Sequence, residues 1–191
     1  MPKKKKGKKK EKMVSEKQDV SRYKNISQRQ HVRLRPGMYV GSICSTEGEH
    51  YWVYENSSIV KKNLNYNEGL NKIINESIDN AVDNMFRDPH PTTEIFVTID
   101  KYQVKVKNNG QHIPCVKRGD EYIPSIIFGK TLSGSNYDDK TNERKSIGTN
   151  GLGIKLANIL STEFSIDLID PCEGIQLTQT WTNGMSVMNS V

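Results

Sequence analysis

The chain has 191 residues, 34% of them apolar, three cysteines and a formal charge of +6. That length suits one domain able to bury a core, and no apolar run approaches the ~18 residues of a membrane-spanning helix, so no membrane association is expected. Cys44, Cys115 and Cys172 are odd in number and lack Cys-x-x-Cys spacing, which argues against a disulfide framework or a zinc site and for a reducing compartment.

The charge is concentrated at the start. Residues 1–12 hold eight lysines and one glutamate, a balance of +7 that leaves the rest of the chain at −1. Residues 1–20 read as a disordered basic tail, because the lysine run of residues 1–12 has no apolar side chain able to offset the entropy of ordering. The run fits a nuclear import signal, a contact to DNA phosphates or a solubilising charge run. The first reading places the chain in a nucleus; the others leave a cytoplasmic or viral setting open. The four histidines are scattered without a carboxylate or second histidine at ligand spacing, and read as surface or packing residues.

In chain order, residues 21–50 form an entry segment. Its Arg35-Pro36-Gly37 turn precedes the apolar stretch Met38 to Val40, which fits a loop entering a strand or an ordered strap. A short strand is expected at Tyr51 to Tyr54. A helix then begins near Asn67 to Gly69 and runs to about Phe86, before Asp88-Pro89. On that helix Leu70, Ile74, Ile78, Ala81, Val82 and Met85 fall on one side, and Glu76, Asn80, Asp83 and Asn84 on the other. Glu94 to Asp100 and Tyr102 to Lys107 alternate as an antiparallel pair that runs into Asn108-Asn109-Gly110. Ile123 to Phe128 reads as a short helix and residues 130–150 as a long polar loop. A helix follows at Ile154 to Leu160, then strands at Phe164 to Ile169 and Ile175 to Trp181, with a turn at Asn183-Gly184. The pattern is α+β, with helices on one face of a mostly antiparallel sheet.

Three polar clusters carry the chemistry. Gly148, Gly151 and Gly153, directly before a helix, let backbone approach a phosphate while the free N–H groups of the helix start attract anions. Lys155 adds a positive charge within the first turn. The loop is neither a Walker A nor a Rossmann sequence, and a purely structural glycine loop fits it as well. Asn80, one turn after Glu76, can offer its amide oxygen to a magnesium ion that also touches phosphate. Glu76 is then free to act as general base on an attacking water; taken singly, it is also an ordinary helix-surface glutamate. Asn108 could present its oxygen to the exocyclic amine of adenine, although Asn-Asn-Gly suits a plain turn equally well. Taken together the clusters make a site for Mg-ATP.

The ordered set resembles the GHKL (Bergerat-type) ATPase superfamily, and within it the N-terminal ATPase region of eukaryotic-type type II DNA topoisomerases. The stretches that carry the resemblance are His31 to Ser42, Asn75-Glu76 through Asn80-Ala81-Val82-Asp83-Asn84, Arg87-Asp88-Pro89 and Asn108-Asn109-Gly110. They continue through Tyr122-Ile123-Pro124, Ile127-Phe128-Gly129, Ser135-Asn136-Tyr137-Asp138-Asp139, Asn150-Gly151-Leu152-Gly153 and Gln179-Thr180-Trp181. The resemblance runs from about Tyr23 to Trp181 and implies an ATP-binding sandwich over residues 51–191 that is incomplete at its C-terminal end. It implies that Glu76 is the general base, Asn80 the magnesium ligand and Asn108 the adenine-side contact. Ser135 and Asn136 would touch the ribose or phosphate side. Gly148, Thr149, Asn150, Gly151, Leu152, Gly153, Ile154 and Lys155 would wrap the triphosphate as the ATP lid. Tyr23 matches a strap tyrosine that reaches the partner subunit's nucleotide. Homodimer closure around DNA would follow ATP binding.

The sequence departs from this pattern at His112, where the family keeps a glycine, and at Ile147, Thr149 and Gly134 in the lid region. The DNA-cleaving tyrosine, the transducer domain with its lysine and the acidic metal-binding domain are not among these residues. Two readings follow: an ATP-binding part of a type II topoisomerase supporting strand passage, or a non-catalytic relic or interaction protein that binds ATP weakly or pairs with a full-length enzyme.

Overall fold

The computed structural model describes residues 22–48, 50–131, 133 and 151–189. The chain enters through α1 (Gln28–Leu34) and the single turn α2 (Gly37–Val40). A capping box starts α1: Gln30 N donates to Ser27 Oγ at 3.3 Å, while Ser27 N donates to the Gln30 side chain at 2.9 Å. The entry segment is thus helical where the sequence suggests a loop leading into a strand. Ser27-x-x-Gln30 fixes the first helix, and Pro36 at φ −58° already has helical geometry ahead of the second.

β1 (His50–Glu55) pairs with β2 (Ser58–Asn63) across a turn in which Asn56 and Ser57 both have positive φ, 48° and 61°. The lysines of β2 hide this strand from a reading based on apolar alternation. α3 (Glu68–Asp83) starts where Asn67 Oδ1 accepts Leu70 N at 2.8 Å and ends in a 3-10 turn at Asn84–Phe86. Its apolar stripe is only half used: Ala81 is buried and Ile74, Ile78 and Val82 are half-buried, but Leu70 and Met85 are exposed. Asp83, on the polar side, is buried instead. The cause is packing on two sides, since α3 touches both α5 and the following hairpin. That hairpin joins β3 (Ile95–Ile99) to β4 (Val104–Asn108), with Asp100 Oδ1 accepting Tyr102 N at 2.7 Å and Gln103 N at 2.9 Å.

The remaining elements are β5 (Lys117–Arg118), β6 (Glu121–Tyr122), α4 (Ile123–Gly129), α5 (Gly153–Leu160), β7 (Glu163–Asp170), β8 (Ile175–Thr182) and β9 (Val187–Met188). All strand pairs are antiparallel, and among the described residues they form four small sheets rather than one. No described helix is long and apolar enough to cross a membrane.

α5 is the hub of the packing. Lys155 through Ile159 are buried without a break. Leu156 and Ile159 meet Val32 and Val40 in one core cluster; Cys115, Ile166, Leu177 and Trp181 form a second, and Met185 touches both. Polar ties join the layers: Asn158 Nδ2 donates to Phe128 O at 3.0 Å, and Ser125 Oγ to Gln179 Oε1 at 2.5 Å. Gly129 lies against the Trp181 indole, where an added Cβ would stand 2.7 Å from Nε1. Gly129→Ala should therefore lower the unfolding free energy by roughly 1–3 kcal/mol and shift the tryptophan emission, both read in one denaturant titration.

Candidate functional site

α3 supplies the acidic side of the site. Lys72, one turn earlier on the same helix, places Nζ 2.5 Å from Glu76 Oε1. The other oxygen of Glu76 lies against Gly153 at the start of α5, so close that a Cβ at residue 153 would stand 1.7 Å from Oε2. A Cβ there would have to push the Glu76 carboxylate aside, so glycine is what lets this carboxylate rest against the helix start. The Glu76 hydrogen bond, with its charge, holds the Lys72 ammonium above its ordinary pKa. Burial, and then the Glu76 charge, push the Asp79 carboxyl up. Asn80 Nδ2 donates back to Glu76 O at 2.6 Å, so the amide oxygen is the end not spent on the helix backbone.

The last turn of α3 holds the Asn-Asn-Gly turn. Asn84 Nδ2 donates to Asn108 Oδ1 at 3.2 Å and to Gln111 O at 3.1 Å. Asn108 Oδ1 also accepts Gly110 N at 3.1 Å and Thr92 Oγ1 at 3.5 Å. Asn109 Oδ1 accepts the N–H groups of Thr93 and Glu94, each at 3.0 Å. Turn formation is thus realised at Asn108, whereas Asn109 ties the turn to Thr93 and Glu94 just ahead of β3. Gly110 makes the close approach possible, since a Cβ there would fall 2.1 Å from Thr92 Oγ1.

α5 supplies the cationic side. It begins without a side-chain cap, which leaves its first N–H groups for an anion. Lys155, 1% exposed, donates through Nζ to the carbonyls of Gly151 and Ser133. Among the described residues these backbone oxygens are its partners, and burial pulls its pKa down to about 8. A buried ammonium beside uncapped N–H groups is a donor set suited to phosphate oxygens. Leu152 packs at the edge of the core and Ile154 is half-buried beside it.

The structure thus brings Glu76, Gly151, Gly153 and Lys155 together at the α3–α5 junction and ties Asn108 to the end of the same helix. Tyr23 is exposed, and its described contacts are with Arg22, whose guanidinium lies over the ring. Ser135, Asn136, Gly148, Thr149 and Asn150, with Gly134 and Ile147, lie outside the described residues, as does the basic tail. Sequence reading missed Lys72, Thr92 and the Ser133 carbonyl. The Lys72–Glu76 pair has readable i, i+4 spacing, whereas Thr92 and Ser133 reach the site only through tertiary packing. His112 is more than a packing residue: its Nε2 lies 3.3 Å from Oδ1 of the buried Asp170. The N–H groups of Cys115, Glu173 and Cys172, with His112, hold the Asp170 carboxyl below the usual range. A groove of about 360 Å³ between α2 and α3, lined among others by Tyr39, Glu68 and Asn75, meets this site only at Lys72.

Residues 65–179 match the family described as histidine kinase-, DNA gyrase B- and HSP90-like ATPases, and the chain belongs to that family. Within it, the similarity points to one branch. The chain is 43% identical over 173 residues to DNA topoisomerase 2 of Candida glabrata, an alignment covering 87% of this chain and 12% of that protein. The crystal structure of the ATPase region of Saccharomyces cerevisiae topoisomerase II superimposes with a TM-score of 0.80 at 39% identity, covering 88% of this chain and 45% of that one. The ATPase and transducer domains of DNA topoisomerase II from Balamuthia mandrillaris give the same TM-score of 0.80 at 37% identity, covering 88% and 43%. The fold is therefore the GHKL ATPase fold of topoisomerase II ATPase regions, and the chain spans about 12% of the length of the curated relatives it matches.

Two outcomes follow. Lys155→Met should stabilise the nucleotide-free chain at pH 7 by roughly 1–3 kcal/mol, since it removes a buried charge. With a folded pKa of about 8 against an ordinary 10.5, the wild type gains stability as pH rises between these values, so the gap to Lys155→Met should close towards pH 10. Thermal melts of both chains across that range read this directly. Gly153→Ala should leave the fold intact but displace the Glu76 carboxylate, read as an unchanged circular dichroism spectrum with a shifted Glu76 side-chain resonance.

Proposed function

We propose that this chain binds ATP with magnesium and serves as the ATP-binding part of a type II DNA topoisomerase, supporting ATP-dependent strand passage by a longer enzyme or assembly. The observation that carries the reading is the buried Lys155 ammonium at the uncapped start of α5, with the Glu76 carboxylate against Gly153. Family membership and topoisomerase relatives support it.

In this reading Lys155 and the N–H groups of Gly151 to Ile154 bind the phosphates, together with Gly148, Thr149 and Asn150. Asn80 offers its amide oxygen to magnesium, which neutralises phosphate charge when bound. Glu76 holds and deprotonates the attacking water, and Lys72 positions that carboxylate. Asn108 faces the adenine; its oxygen has several donors already, and the 3.5 Å contact from Thr92 is the weakest to exchange. Ser135 and Asn136 serve the ribose or phosphate side. Tyr23 completes the partner subunit's site on homodimer closure, and the basic tail contacts DNA or directs nuclear import.

A second reading, a non-catalytic relic or interaction protein that binds ATP weakly or pairs with a full-length enzyme, is favoured by one observation. His112 stands at the family's second glycine and is engaged by Asp170.

Titration of the purified chain with a non-hydrolysable ATP analogue and magnesium separates the two. Saturable binding that falls at least about tenfold in Asn80→Ala and in Lys155→Met, a loss of about 1.4 kcal/mol or more each, supports the nucleotide site. Glu76→Gln should then keep analogue binding while losing turnover by about 100-fold or more. Absence of saturable binding, with the fold intact, would leave the relic reading standing.

A further inference from the structure

The sequence places His112 and Cys172 sixty residues apart, with no ligand spacing between them. The fold closes that distance: His112, Asp170 and Cys172 each offer a donor atom, and the three lie within 4.8 Å of one another. We propose that they form a binding site for a zinc-class divalent cation, separate from the magnesium expected at Asn80.

The donor set argues for the class. An imidazole nitrogen, a carboxylate oxygen and a thiolate sulfur together select borderline metals over magnesium or calcium, which take oxygen. The charge balances as well. Cys172 gives up its thiol proton to solvent when the metal binds, His112 stays neutral, and the two anionic ligands cancel a dication.

The geometry is half assembled. His112 Nε2 and Asp170 Oδ1 stand 3.3 Å apart, which equals the edge of about 3.3 Å between nitrogen and oxygen ligands around tetrahedral zinc. The sulfur has to close by about 1 Å to reach its own ligand distance. Cys172 is exposed, so rotation of its side chain supplies that movement.

The carboxylate is also held as a metal ligand needs to be. Asp170, 1% exposed, accepts Cys115 N at 2.8 Å through Oδ2, and Cys172 N at 3.0 Å and Glu173 N at 3.3 Å through Oδ1. Backbone donors of this kind fix the orientation of a ligating carboxylate. The bond from Cys172 N is part of the tight turn Asp170-Pro171-Cys172, which folds the thiol back towards the carboxylate. His112 arrives from the loop just after Asn108-Asn109-Gly110. A bound ion would therefore staple that loop to the end of β7.

The test is titration of the reduced full chain with cobalt(II) alone. One equivalent should bind with a thiolate-to-cobalt charge-transfer absorption that zinc displaces. Cys172→Ser should abolish the absorption, Cys44→Ser should leave it, and His112→Gly should weaken binding about tenfold or more. In the wild type, zinc should also shield Cys172 from alkylation while Cys44 still reacts, a readout that needs no variant to fold. Absence of the absorption at millimolar cobalt would overturn the site. So would an absorption that survives Cys172→Ser or vanishes in Cys44→Ser, or alkylation of Cys172 unaffected by zinc.

Discussion

The contact between Gly153 and Glu76 is the constraint on which the rest of the site depends. α5 is short, eight residues, and almost wholly buried, so its position is set by what packs around it rather than by intrinsic helix stability. Val32 and Val40 press on it from the entry helices, α4 ties to it through Asn158, and β7 lies against it. The missing Cβ at residue 153 lets the helix start come within contact of the Glu76 carboxylate. One glycine thereby sets a carboxylate against a helix N-terminus, and Lys155 follows on the same helix with its ammonium on the carbonyls of Gly151 and Ser133. The partial positive charge of the helix start favours the nearby carboxylate, so the arrangement holds together before any ligand arrives.

Lys155 works in the opposite sense. A fully buried ammonium partnered by backbone carbonyls is a poor stabiliser, and its pKa of about 8 records the cost of keeping it charged. An anion beside the ammonium would lower that cost, because its charge would replace lost hydration. In the function proposed above, stability given up in the free chain would reappear as affinity for a polyanionic ligand. On α3, burial and then the Glu76 charge raise the Asp79 carboxyl, so acidic groups are crowded there.

How much of this was legible in the residues depended on the range of the interactions. The helix bearing Glu76 and Asn80, the hairpin leading to Asn108, and the helix after the glycine loop are local patterns, and the structure places each where the sequence puts it. The entry helices were not read because a single Ser27–Gln30 box outweighs their polar composition. β2 escaped because Lys61 and Lys62 mask its alternation. The exposed Leu70 and the buried Asp83 show the limit of reading one helix by angle: with α5 and the β3–β4 hairpin both packed on α3, the buried face is not the apolar stripe alone. The α+β fold with antiparallel pairing stands as the sequence suggests, and among the described residues the strands form four small sheets, a division that has no local signature.

His112 shows why a departure from a family pattern has to be judged in three dimensions. By sequence, a ring in place of glycine crowds the loop after Asn108. In the fold the ring is half-buried and its nitrogen is taken up by Asp170 at the far end of β7. Glycine at this position would leave the loop free to move. Histidine anchors it to a strand end that already carries the backbone N–H of Cys115. The Asn-Asn-Gly turn is held at the same time by the bond from Asn84, at the end of α3, to Asn108. The two anchors hold one short segment from opposite ends, Asn84 at Asn108 and Asp170 at His112.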